Sequence, residues 1–266
     1  MGKQYRAKKV ISIVQGIVLV LIFSLFAPMV SLYPLSIENP TASAATRSVK
    51  TVASGTKYAT KLHVIKSGVK GPVVMVVGGT HGNEPAGYRA ARLIKNYTVK
   101  KGTLLVLPEA NRIAVQNNTR NAPGVGDLNR SFPKTKSDKP DDPLARAIWQ
   151  VVKDYDVDYL IDLHEGYKYH LQTKSSWGQT VIYYPNSGTK VVADRMVSAL
   201  NKSIPTKSKR FSTVKYPLKG ELSRSTGQFL GCHSYVIESC RLETINSRIG
   251  RHTTAVKAAL KYLGMQ

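Results

Sequence analysis

The sequence predicts an α/β fold, a three-layer α/β/α sandwich around a mostly parallel (mixed) central sheet. Two observations carry this reading. Five short runs of β-branched and aliphatic residues are nearly continuous rather than alternating, as in strands covered on both faces. Between them lie stretches with apolar residues at three-and-four spacing, so strands alternate with helices. The 266 residues are 42% hydrophobic, which suffices for one full-sized domain but not for two large ones.

The strand runs are residues 73–77, 103–107, 159–163, 181–184 and 235–237, with 63–65 as a candidate edge strand. The first helix, 85–95, opens with Pro85 in its first turn. The second, 142–153, has Pro143 and acidic residues at its start. Helices over 189–201 and 248–263 follow from apolar periodicity. Two long stretches, 111–141 and 203–232, lack a regular pattern. Ordered loops of that length are usually functional.

At the amino terminus Lys3, Arg6, Lys8 and Lys9 precede an uncharged apolar run from Val10 to about Phe26. Ala42-Ser43-Ala44 offers a small-residue cleavage site. Residues 1–44 therefore read as a signal peptide or as an uncleaved membrane anchor. Either would place the rest of the chain outside the cell and make nucleic acid an improbable partner. Residues 45–60, rich in Thr, Ser, Ala and Lys, read as a linker, leaving 61–266 as the catalytic domain.

The net charge of +23 favours polyanionic surroundings. From Lys202 to Lys219 there are six basic residues and no acidic one. This segment is either a solvated loop or a contact for an anionic cell-wall polymer. Cys232 and Cys240 are the only cysteines. If one strand joins them, they lie about 25 Å apart at about 3.3 Å per residue. That is beyond the roughly 7 Å that a disulfide spans between Cα atoms, so free buried thiols are expected.

The residues with chemical potential fall at strand ends. The run 72–77 leads into Gly78-Gly79-Thr80-His81-Gly82-Asn83-Glu84-Pro85, which sets His81 and Glu84 three apart at a helix entrance. The run 159–163 ends at His164. Two histidines and a carboxylate leave one position of a tetrahedral zinc open, the catalytic rather than the structural arrangement. In open α/β sheets ligands gather beyond the carboxyl ends of the strands, where these residues fall. Asp162 either orients a histidine or points away.

Three motifs in order resemble the succinylglutamate desuccinylase and aspartoacylase branch of the zinc metallocarboxypeptidase superfamily. They are Gly78-Gly-Thr-His81-Gly-Asn-Glu84-Pro85, Asp127-Leu-Asn129-Arg130-Ser-Phe-Pro133 and Asp162-Leu-His164-Glu-Gly166. The resemblance implies a carboxypeptidase-like fold and one zinc ion on His81, Glu84 and His164. It implies that Asn129 and Arg130 bind a substrate carboxylate, that Arg120 polarises the scissile carbonyl, and that Glu238 is the general base. Read alone, Glu238 is also compatible with a buried carboxylate paired to Arg241. Glu165 is a rival ligand or base, but neighbours on a strand face opposite ways.

The relatives carry a further β-domain after the catalytic one, whereas this sequence stops at Gln266, soon after its last expected helix. With the export segment, this favours a peptidase role over intracellular amino-acid metabolism. The expectation is an exported zinc amide hydrolase acting on a peptide or acyl-amino acid with a carboxylate, such as a cell-wall peptide. A deacylase of small N-acyl amino acids is the alternative enzyme. A catalytically silent, basic wall-binding module is the alternative without catalysis.

Overall fold

The structure, a computed structural model, describes residues 44–266. The expected export segment lies outside the described residues. No helix among the described residues is long and apolar enough to cross a membrane.

Eight strands form one mixed sheet. They are β1 (Thr46–Val52), β2 (Thr60–Lys66), β3 (Val73–Gly78), β4 (Thr103–Leu107), β5 (Tyr159–Gly166), β6 (Thr180–Tyr183), β7 (Ser212–Lys215) and β8 (His233–Cys240). Their order across the sheet is β1-β2-β4-β3-β5-β8-β6-β7. The central run β4-β3-β5-β8 is parallel, and β6 pairs antiparallel with β8. The helices are α1 (Pro85–Ile94), α2 (Arg112–Asn117), α3 (Pro143–Asp154), α4 (Thr189–Asn201), α5 (Leu222–Phe229) and α6 (Ile245–Tyr262).

Strand alternation builds two cores. Val74, Val76, Ile161, Leu163, Tyr235 and Ile237 face one side and meet Ala90, Ile94, Met196 and Val256 from α1, α4 and α6. Met75, Val77, Leu105 and Leu160 face the other and meet Leu144, Ile148, Val152 and Leu222 from α3 and α5. Both faces of the central strands are therefore dry, which explains their continuous apolar sequence.

Several expectations need correction. Residues 46–52, read as part of a linker, form β1, and β2 is consequently not an edge strand. Six of the seven β1 residues are exposed, so no apolar alternation marks the strand. Full antiparallel pairing with β2 holds it instead. Arg47 adds donations to the carbonyls of Lys95, Asn96 and Tyr97 at the end of α1. The unpatterned stretch 111–141 contains α2, and 203–232 contains β7 and α5. Helix α5 reads Leu-Ser-Arg-Ser-Thr-Gly-Gln-Phe, with the weak helix formers Ser, Thr and Gly at half of its positions. Its buried Ser223, Ser225, Thr226 and Gly227 show that packing overrides propensity there. Cys232 and Cys240 are free and buried, one just before β8 and the other its last residue, with the strand unbroken between them.

Glycines set the closest approach between α1 and β5. A Cβ on Gly87 would run into the carbonyl oxygen of Leu163 on β5. On Gly250, in α6, it would meet nothing within 4 Å. Gly87→Ala is expected to destabilise the fold by about 1–3 kcal/mol through overpacking. Gly250→Ala should be neutral or stabilising by up to about 1 kcal/mol. Urea unfolding of both variants tests this, and equal midpoints would refute the packing argument.

Candidate active site

The site lies where the winding of the sheet reverses. Helix α1 leads from β3 to β4 over one face, whereas α3 returns from β4 to β5 over the other. The crevice beyond the ends of β3 and β5 is the ligand position of such sheets. His81 follows β3 and Glu84 is the residue before α1. His164 is near the end of β5 and pairs across the ladder with Glu238 of β8.

Glu84 joins the two histidines. Its Oε1 is 2.9 Å from His81 Nδ1 and its Oε2 is 2.9 Å from His164 Nδ1. One ligand atom from each residue lies within 4.8 Å of the others, and all three residues are buried. The outer nitrogen of each ring faces another carboxylate. His81 Nε2 is hydrogen-bonded to Asp127 Oδ1 at 3.0 Å, and His164 Nε2 lies 3.0 Å from Asp162 Oδ2 without the alignment of a hydrogen bond. A carboxylate behind each imidazole is the arrangement that orients metal-binding histidines. The donor set and its backing thus fit a zinc ion. Burial opposes charge on Glu84, yet His164 and His81 hold its carboxyl well below the usual range. Burial likewise opposes charge on His164, but Asp162 and Glu84 raise its pKa well above the ordinary value.

The other residues singled out by sequence line a cleft of about 170 Å³ beside this cluster. Arg120 Nη2 contacts Asp127 Oδ2 at 2.9 Å, and its Nη1 lies 3.5 Å from Glu84 Oε1. Asn129 is buried, and its Oδ1 accepts from the Leu222 N–H at 3.3 Å. That leaves its amide N–H groups available as donors. Arg130 Nη1 is 3.1 Å from Glu221 Oε1. Glu238 keeps partial exposure to the cleft, and burial pushes its carboxyl up to about 8. The alternative partner for Glu238, Arg241, reaches Glu165 and Glu84 instead. Glu165 faces the opposite side of β5 from His164, as alternation requires.

Sequence reasoning left four residues without an assigned role or, for Asp162, undecided. Asp127 caps the short turn carrying Asn129, accepting from the Asn129 N–H, and also supports His81 and Arg120. Its place at the head of the Asp-Leu-Asn-Arg motif was the available signal. Asp162 lies two residues from His164 on the same strand face. Glu221 and Tyr216 came from an unpatterned stretch and had no signal. Tyr216 holds a left-handed φ of 65° and lines the cleft.

Residues 51–183 match the family described as the catalytic part of carboxypeptidases controlling helical cell shape. No curated protein sequence matches the chain. The fold resembles the mDAP-bound form of Helicobacter pylori Csd4, a D,L-carboxypeptidase, at 20% identity and a TM-score of 0.64, over 74% of this chain and 52% of that one. The chain thus spans about half the length of the Csd4 structure. A succinylglutamate desuccinylase/aspartoacylase from Rhodobacter sphaeroides is similar at 18% identity and a TM-score of 0.60, over 84% and 65% of the two chains. The product-bound ectoine utilization protein EutE from Ruegeria pomeroyi is similar at 18% and 0.61, over 83% and 68%. All of the sequence-predicted site except Glu238 falls inside the family match. With half the sequence matched and the fold shared, the chain belongs to the family of carboxypeptidases controlling helical cell shape.

Proposed function

We propose that this chain is an exported, zinc-dependent amide hydrolase of carboxypeptidase type, acting on a cell-wall peptide with a free carboxylate near the scissile bond. The observation that carries the reading is the gathering of His81, Glu84 and His164 with Glu238 directly across the ladder. When bound there, zinc would supply a Lewis acid and acidify a water toward a pKa of about 7. Glu238 would take the proton of the attacking water and pass it to the leaving nitrogen as the C–N bond breaks. The products are a carboxylate and an amine. Arg120 would donate to the carbonyl oxygen as it gains negative charge.

Arg130 and Asn129 would hold the substrate carboxylate. Glu221 narrows the choice further. A lone carboxylate arriving at Arg130 would meet the Glu221 carboxylate already paired to that guanidinium. A ligand carrying an ammonium beside its carboxylate would relieve that repulsion. This is consistent with the binding of mDAP by the Helicobacter relative.

A polyanionic wall would also account for the basic surface. Lys202, Lys207 and Lys209 form no ion pair among the described residues. Lys209 lies over Tyr169 in the segment that leads into the cleft-lining residues 175–177. Export rests on the amino-terminal sequence, with the hydrolase secreted or held at the outer membrane face by that segment. A second reading, deacylation of small N-acyl amino acids, draws on the succinylglutamate desuccinylase/aspartoacylase folds, of whose length this chain covers 65–68% against 52–56% of Csd4.

Three measurements test these readings. His81→Ala should lose both zinc and hydrolysis, whereas Glu238→Gln should keep zinc and lose about 10²–10⁴-fold in kcat. Loss of metal from the Glu238 variant would show its role to be structural, wild-type turnover in both would refute this active site, and a wild type that hydrolyses no amide would end the enzyme reading. Arg130→Ala should raise KM about tenfold or more for substrates with a free carboxylate and leave amidated analogues little changed; equal effects on both would remove the carboxylate clamp. Lys202, Lys207 and Lys209 changed together to Glu should cut retention on isolated cell walls at low salt while sparing hydrolysis of a soluble peptide. Unchanged retention would dismiss the wall contact.

A further inference from the structure

Helix α1 begins with an unusual division of labour. Glu84 occupies its N-cap position but makes no side-chain cap hydrogen bond. Both oxygens of its carboxylate are already engaged: Oε1 with His81, and Oε2 with His164 and the Glu165 N–H at 3.1 Å. The first N–H groups of a helix have no partner inside it, and the N-cap side chain normally accepts from one of them. Pro85 has no N–H, so the first to need an acceptor is that of the fully buried Ala86. Its acceptor comes from another element. Glu165 Oε1, on β5, receives the Ala86 N–H at 2.6 Å.

Glu165 is itself fixed from two sides. Its side chain is fully buried. Oε2 receives Arg248 Nη1 from α6 at 2.5 Å and lies 3.6 Å from Arg241 Nε. Arg241 also donates to the Asn83 carbonyl at 3.1 Å, one residue before Glu84, and stacks on Tyr167. Glu165 and Tyr167 border the cleft, but the Glu165 carboxylate is directed to α1 and α6 and has no part in the proton transfers above.

We propose that Glu165 is a positioning residue for the metal, supplying from β5 the helix cap that Glu84 leaves vacant, so that the Glu84 carboxylate stays free to coordinate. Arg248 holds Glu165 in this role and so ties the last helix to the metal site. The proposal rests on the reading that His81, Glu84 and His164 bind zinc. Its physical basis is competition. Without Glu165, the buried Ala86 N–H lacks an acceptor, and the only carboxylate in its own turn is that of Glu84. Capping and coordination would then draw on one group.

The test is zinc affinity of the purified exported chain, measured by competition with a chromophoric chelator, with circular dichroism to establish folding. Glu165→Ala should fold and bind zinc about 10–100-fold more weakly, the range seen when groups supporting metal ligands are removed. Glu165→Gln keeps an acceptor oxygen for Ala86 and should stay within about threefold of wild type, a rescue that a charge-only role would not give. A folded Glu165→Ala variant with wild-type affinity, or a Gln variant as weak as the Ala variant, overturns the proposal. If Glu165→Ala does not fold, Arg248→Met decides, since it leaves the cap in place but unheld; unchanged affinity there overturns the proposal and a severalfold loss supports it. A wild-type chain that takes up no zinc would instead overturn the metal reading itself.

Discussion

One carboxylate, that of Glu84, is the joint on which the site depends. It sits between two imidazole nitrogens contributed by a loop and by a strand, at the N-cap of a helix. An isolated charge buried this deeply is strongly disfavoured unless paired and hydrogen-bonded. The two histidines, the Glu165 amide and nearby arginines provide that pairing. The same demand explains the distribution of acidic groups. The chain has 39 basic and only 16 acidic residues, yet Glu84, Asp127, Asp162, Glu165, Glu221 and Glu238 all gather around this one site. A strongly basic exterior thus encloses a carboxylate-rich interior, a field that favours a small divalent cation over an anion.

Strand alternation lets β5 serve two purposes with neighbouring residues. His164 turns toward the cleft, and Glu165 turns toward the start of α1 and Arg248 of α6. Register then adds Glu238 beside His164 without any loop having to place it. Sites built on strands in this way are held by the sheet ladder and are more precise than those built on loops.

The central strands were legible in the sequence because double-sided burial leaves continuous apolar runs. Residues 103–107 and 189–201 match an observed strand and helix end for end. The His81, Glu84 and His164 cluster was legible because its residues fall at or just beyond the ends of those runs. Strands β5 and β8 extend past their apolar stretches because His164, Glu165 and Glu238 continue the backbone pairing with polar side chains. What stayed hidden depends on tertiary contacts. β1 is exposed on both faces, α5 is half Ser, Thr and Gly, and Glu221 is recognisable only once Arg130 stands beside it. The capping role of Glu165 needed the positions of three elements at once.

The correction at β1 reaches beyond the count of strands. Arg47 receives no help from composition, yet its guanidinium gathers three carbonyls at the back of α1, the helix whose front carries Glu84. The strand therefore works as a strap, fastening the trailing end of the helix whose leading end serves the chemistry. Trimming the protein at residue 61, where composition suggests a clean start, would cut that strap. It would also strip β2 of its neighbour and leave a row of unpaired backbone groups open to intermolecular strand pairing. Thr46 to Val52 accordingly belong to the folded sheet, inside what looked like a tether.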